Sequence, residues 1–413
     1  MRRPPEAAGL ETAPRPPDPP APAKAPADAT RRLVLLSCGH FFIDVYSSAL
    51  GALQPLLVDR HSLSLLQAGI LGGLLSFSSS VTQPFYGYLS DRLRYRAFTV
   101  AAPFIAGLFI SCLGLAPGFG SLLVLVLLGG VGISSFHPQG TAHAAATFPA
   151  RRGFAMAVFI TSGTIGLSFG PTYFSFFARW LGLEKTYWAA LPALLITLVL
   201  WRELPKPAAA PHQPGHFDLA PFRRVWKPMT LLYLLVVIRS VVQIVFAQFL
   251  VLYFHRERGF SVPVASYVLT LFLFSGALGG FAGGNLADRF GGKRIVVFSM
   301  IGSVPFLLLF MWTSGWISLA GLLMGGLILL FTVPVNVTMA QDLVPTQAGT
   351  VSALMMGFAW GMAGLVWIPF VGWVGDQVGL ETALRGVVLL PLLGVPLAIQ
   401  LPTDRRLRGP GQS

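Results

Sequence analysis

The chain has 413 residues, of which 54% are hydrophobic and 11% charged, and its mean hydropathy is +0.69. A soluble globule carries about a quarter charged residues, so this composition excludes one and requires a polytopic membrane protein. The net charge of +13 does not mark a nucleic-acid binder, because most Lys and Arg residues crowd into alternate connections between apolar segments, the positive-inside pattern.

In chain order, residues 1–32 are rich in Pro and Ala and hold no apolar core or cleavage site, which predicts a disordered cytoplasmic tail and not a signal peptide. A membrane span needs roughly 20 apolar residues. Twelve such segments follow, predicting an all-α membrane protein of two six-helix halves. Helices 1 to 6 are expected over 33–58, 66–89, 97–115, 121–147, 153–180 and 186–201, an N-terminal bundle bounded by 33–202. A proline-containing cytoplasmic linker, 203–227, separates it from helices 7 to 12 over 228–254, 262–287, 294–312, 316–342, 349–375 and 382–401. This second bundle spans 228–402, and 403–413 form a cytoplasmic tail. Trp180, Trp188 and Trp201 sit near span ends, where an aromatic belt places them. Cys38 and Cys112 fall within apolar segments, where they are expected to pack as small hydrophobes.

The halves are related by sequence. Gly87-Tyr-Leu-Ser-Asp91-Arg92-Leu-Arg-Tyr-Arg96 returns as Gly284-Asn-Leu-Ala-Asp288-Arg289-Phe-Gly-Gly-Lys293, with Asp91 and Asp288 197 residues apart. Pro138 and Pro334, and Gly153 and Gly349, repeat at 196. Each charged stretch is a short loop between two spans. Its glycine lets helices approach, its Asp can accept hydrogen bonds from a neighbouring helix N-terminus, and its basic residues favour the cytoplasmic surface. These loops resemble the motif between the second and third helices of each half in the major facilitator superfamily. The resemblance implies two pseudo-symmetric bundles, a substrate path between them, and a gating role for Gly87, Asp91, Arg92, Gly284, Asp288, Arg289 and Lys293.

Ionisable groups within a membrane are costly by several kcal/mol and are functional candidates by default. Here they are His40 and Asp44 in helix 1, His137 in helix 4 and Arg239 in helix 7. His40 and Asp44 are four residues apart and share a helix face; Asp44 and Arg239 both reach the midplane and could either pair or compete for substrate. Burial favours the neutral form of a carboxyl group and a neighbouring guanidinium favours the charged form, the competition that proton coupling needs. The expected roles are proton coupling for Asp44 with His40, and substrate binding for Arg239, Gln243, His137 and Gln139.

Two further resemblances bear on activity. Gly166-Leu-Ser-Phe-Gly170-Pro171 is similar to the Gly-x-x-x-Gly-Pro core of the antiporter motif of drug exporters, although Thr-Tyr-Phe-Ser follows where paired glycines are expected; a close-packed, kinked helix is the alternative. Gly39-His40-Phe-Phe-Ile-Asp44, Ser134-Ser-Phe-His137-Pro138-Gln139, Ala340-Gln341-Asp342-Leu-Val-Pro345 and Gly357-Phe-Ala-Trp-Gly-Met-Ala-Gly364 resemble the fosmidomycin resistance proteins, with Ile43 and Gln139 standing where that family has Asn and Glu. The resemblance implies proton-driven export of drugs such as a phosphonate. A proton-coupled importer of a metabolite and a non-transporting sensor or scaffold are the alternatives. No nucleotide-binding loop and no Cys/His metal spacing is visible, so the reading is of a non-enzymatic transporter without metal or cofactor. Its expected partners are a small molecule, protons and the lipid bilayer, without nucleic acid. It is expected to be a monomer in a bacterial inner membrane with both termini cytoplasmic.

Overall fold

The computed structural model describes residues 27–93, 96–204 and 219–402, with backbone alone for 27, 90–93 and 150. Most of the expected tails and of the linker therefore lies outside the described residues, as do the side chains of Asp91 and Arg92. Every regular element among the described residues is helical, and twelve are long and apolar enough to cross a membrane. Helices 1 to 6 are Asp28–His61, Leu65–Leu89, Ala97–Leu115, Phe119–Thr147, Arg152–Leu181 and Leu183–Glu203. Helices 7 to 12 are Trp226–Arg256, Val262–Phe290, Gly292–Trp312, Gly315–Leu343, Pro345–Val378 and Leu380–Ile399.

Several helices depart from straight α geometry. Helix 1 is interrupted at Ser48, whose hydroxyl donates to the Asp44 and Val45 carbonyls at 3.3 and 3.4 Å, the kind of side-chain intrusion that bends a helix. Helix 2 carries a π-turn at Phe77–Val81 and helix 11 another at Ala353–Phe358. The second explains a drift in the repeat. Gly153 and Gly349, opening helices 5 and 11, are 196 residues apart, but Gly182 and Gly379, closing them at φ +88° and +86°, are 197 apart. Between these glycines helix 11 has one residue more than helix 5, and a π-turn is how a helix absorbs an insertion.

Helices 1, 2, 5, 7, 8 and 11 form the seam between the halves. Helix 11 packs along helix 2, helix 8 along helix 5, and helix 7 against both helix 11 and the second segment of helix 1. Helix 7 is the most enclosed, with 78% of its apolar window buried against 28% for helix 6. The seam is tight because backbone meets backbone: a Cβ on Gly51 would stand 2.1 Å from the Ala247 carbonyl oxygen, and one on Gly372 2.2 Å from that of Leu65. Cys38 lies on an exposed face of helix 1. Cys112 is half-buried.

The motif loops reveal a shared structural duty. Gly87 faces Pro138 and Gly284 faces Pro334, with the same nearest approach of 3.6 Å for an added Cβ. The last basic residue of each loop caps a helix C-terminus. Arg96 donates to the Leu204 carbonyl beyond helix 6 and lies over Trp201. Lys293 donates to the Ile399 carbonyl and, at 2.7 Å, to that of Leu401 at the end of helix 12. A cation there satisfies orphan carbonyls and meets the negative end of the helix dipole. Asp288 and Arg289 are exposed. Lys293→Ala is expected to cost about 1 kcal/mol, read as a lower thermal midpoint in detergent, whereas Lys227→Ala, removing a lysine seated over the Trp226 ring, should leave the midpoint unchanged.

Candidate functional site

The site begins with the crossing of helices 1 and 5. Gly163, Gly166 and Gly170 recur at helical spacing on one face of helix 5, and each meets helix 1 directly. A Cβ on Gly166 would stand 2.1 Å from the Phe41 carbonyl oxygen, and one on Gly170 2.4 Å from that of Val45. Pro171 lies inside the same helix and is buried. The glycines of the antiporter-like motif thus let helix 1 lie flat on helix 5.

That contact seats His40. Its Nδ1 donates to the Phe159 carbonyl at 2.8 Å, its ring stacks on Phe159 with centroids 4.2 Å apart, and it is 7% exposed. A carbonyl oxygen can only accept, so Nδ1 carries a hydrogen and Nε2 is the face turned elsewhere. It turns to Asp44, one helical turn on, at 3.4 Å from Oδ2. His137 arrives from helix 4 with Nε2 3.6 Å from the other oxygen, Oδ1, and the two imidazoles meet edge to face at 5.2 Å. The carboxyl group of Asp44 therefore lies between two imidazoles.

These distances decide the chemistry. Neither is a short hydrogen bond, and a neutral His40 would aim a bare Nε2 lone pair at a carboxylate oxygen. A proton on either of these two atoms turns that contact into a hydrogen bond. One donor atom from each of the three also lies within 4.8 Å of the others, a proximity that spacing along the chain did not indicate, since His137 comes from another helix.

Arg239 is not part of this cluster. Its Nη1 donates to Gln243 Oε1 and its Nη2 to Ser240 Oγ, both at 2.9 Å, and the guanidinium lies 5.7 Å from the centre of the Trp360 ring. It is 5% exposed, and its Nε has no partner among the described residues. Asp44 and Arg239, left open as a pair by the sequence, form no ion pair among the described residues. Asp44 faces the space between the halves, which Arg239 does not line. A cavity of about 230 Å³ between the halves is lined by Asp44 and His137 on one wall, Gln243 and Trp360 on another, and by hydroxyls including Ser79 and Ser80 of the helix 2 π-turn. Arg239 stands behind Gln243 and Trp360. Gln139 is elsewhere: its Oε1 accepts from the backbone N–H and hydroxyl of Thr99 at 3.1 and 2.7 Å, tying helix 4 to helix 3. Sequence reading missed Phe159, the serines and Trp360, whose roles depend on which backbone faces which.

Gly163 offers the sharpest local test, since a Cβ there would lie 2.5 Å from His40 Cε1 and 2.6 Å from Asp44 Oδ2. Gly163→Ala should abolish transport activity while Gly153→Ala, at a glycine with nothing within 4 Å, should preserve it, both scored in membrane vesicles at matched protein levels.

Comparison with known proteins agrees with this architecture. The chain is 30% identical over 90% of its length to the fosmidomycin resistance protein of Escherichia coli K12, covering 92% of that protein. It is 29% identical to the uncharacterized transporter YfnC of Bacillus subtilis, over 91% of this chain and 94% of that one. Among solved structures, a bacterial homologue of the human lysosomal transporter Spinster, in an inward-facing and occupied conformation, superposes with a TM-score of 0.80 at 14% identity, covering 93% of this chain and 99% of that one. The profile of the Major Facilitator Superfamily matches residues 36–368, and with twelve spans around a central cavity the chain belongs to that superfamily of multi-pass membrane transporters, not to an enzyme family.

Proposed function

We propose that the protein is a proton-coupled antiporter that exports a small anionic toxic compound, a fosmidomycin-like phosphonate or a comparable drug, across a bacterial inner membrane. The observation that carries this reading is the His40–Asp44–His137 cluster on the wall of the central cavity, a carboxyl group flanked by two imidazoles and without a guanidinium partner. Such a group can take a proton from one side and give it up on the other as access to the cavity alternates. Opposite it, Arg239 keeps an unused Nε and no carboxylate partner among the described residues. A buried cation left uncompensated favours an anion in the cavity, reached through Gln243 and Trp360 in this conformation. The likeness to the E. coli fosmidomycin resistance protein supports a phosphonate, and the positive-inside bias supports cytoplasmic termini.

Coupling then follows from competition. Asp44 faces the cavity and, when ionised, accepts a donor group of a substrate whose anionic end lies toward Arg239; a proton taken up by the cluster removes that acceptor, so proton and substrate exclude one another, the linkage that antiport requires. The likeness to the E. coli fosmidomycin resistance protein supports export, and an importer on the same scaffold is the competing reading.

Everted membrane vesicles with an imposed proton gradient, acidic inside, distinguish the readings with fosmidomycin as probe. Accumulation driven by proton efflux, lost in Asp44→Asn and reduced at least tenfold in Arg239→Ala, is the expected result; transport in the direction of proton flow identifies a symporter. Unchanged transport by Asp44→Asn at matched expression contradicts the coupling role. EDTA should have no effect, whereas loss of transport on chelation would mean that the cluster works through a divalent cation.

A further inference from the structure

The seam between the halves is fastened on the side away from the chain termini. The described polar contacts that join the halves cluster there: Asp59 with Arg256 at 2.7 Å, the Thr172 and Thr270 hydroxyls at 2.8 Å, and Asp376 with the start of helix 2. The last of these is built differently from the others. One carboxylate, near the end of helix 11, accepts two backbone N–H groups of helix 2, Leu65 on Oδ1 at 2.7 Å and Leu66 on Oδ2 at 2.9 Å.

An α-helix begins with N–H groups that have no partner within it. At helix 2, Ser64 and Gln67 satisfy one another, Ser64 Oγ accepting from the Gln67 N–H and Gln67 Oε1 from that of Ser64, at 3.1 and 3.0 Å. Leu65 and Leu66 are left, and both are supplied from the opposite half of the molecule. Gly372, four residues before Asp376, brings the two backbones together. Gly372-x-x-x-Asp376 thus has the spacing of Gly87-x-x-x-Asp91 and Gly284-x-x-x-Asp288. Gln377 follows Asp376 where an Arg follows Asp91 and Asp288, so the likeness is one of spacing alone.

The pseudo-symmetric interface lacks the device. At 197 residues' remove, Arg179 stands where helix 11 has Asp376, and Pro263, with no N–H to give, stands where helix 2 has Leu66. The contact is also exposed to water, so its groups can be rehydrated when the halves part and the cost of opening stays small. A strong lock would trap one state; a charge at a helix N-terminus is of the size that biases two states without excluding either.

We propose that Asp376 is the latch that holds the non-terminal side closed, and that its release from the helix 2 N-terminus opens the cavity on that side. This rests on alternating access but not on which substrate or ion is moved. The experiment is electron–electron spin-label distance measurement in nanodiscs on full-length protein with Cys38 and Cys112 replaced. The labels sit at Lys185→Cys and Thr382→Cys, exposed positions on this side in opposite halves. Asp376→Ala should enlarge the long-distance population about fivefold. Leu66→Pro, which removes one donor at a helix position where proline is tolerated, should enlarge it in the same direction by less. A distribution unchanged in Asp376→Ala, or a change in Asp376→Ala with none in Leu66→Pro, overturns the proposal. Loss of transport by Asp44→Asn with an unaltered distance distribution would leave the latch standing, so the two accounts fail separately.

Discussion

The hydrogen bond from His40 Nδ1 to the Phe159 carbonyl is the contact on which the site depends. It uses the proton of one ring nitrogen and thereby commits the other to Asp44. Without it the imidazole could rotate or change tautomer, and the carboxyl group would face a donor or an acceptor indifferently. The bond exists because helix 1 lies on helix 5 with no side chain between them, which the glycines of helix 5 permit. A feature that reads as a packing motif therefore fixes the tautomer of an imidazole.

The scaffold is nearly symmetric and its chemistry is not. Arg96 and Lys293 cap equivalent helix ends, and Gly87 and Gly284 face equivalent prolines. Asp59 and Arg256, equivalent to one another at 197 residues' separation, meet as a pair. The positions equivalent to His40 and Asp44 are instead Val237 and Val241, and Phe42 stands opposite Arg239. Symmetry relates the two bodies, and its breaking puts Asp44 and His137 on the cavity wall of one and Gln243, with Arg239 behind it, on that of the other. The latch is asymmetric in the same sense, since helix 2 and helix 11 share it and helix 5 and helix 8 cannot.

Much of this was legible in the chain. Twelve apolar segments of membrane length have one architectural solution, and the repeated loops divide them into halves. His40 and Asp44 were readable as a pair because four residues is one helical turn. His137 was readable only as a depth, because which face of helix 4 meets helix 1 is decided by tertiary packing. The same holds for Gln139, whose polarity suggested a ligand contact and whose amide ties two helices together. Asp376 escaped notice because an acidic residue at a span end looks like ordinary surface; only the neighbouring helix start gives it a task.

The most direct test of the central claim is infrared difference spectroscopy of the purified protein in nanodiscs across a pH step. The account predicts a carboxylic-acid band from Asp44 that appears on acidification, is missing in Asp44→Asn, and is shifted in His40→Ala, because the imidazole shares that proton. A carboxyl group that stays ionised throughout the range in which the protein transports, or a band indifferent to His40, would contradict it.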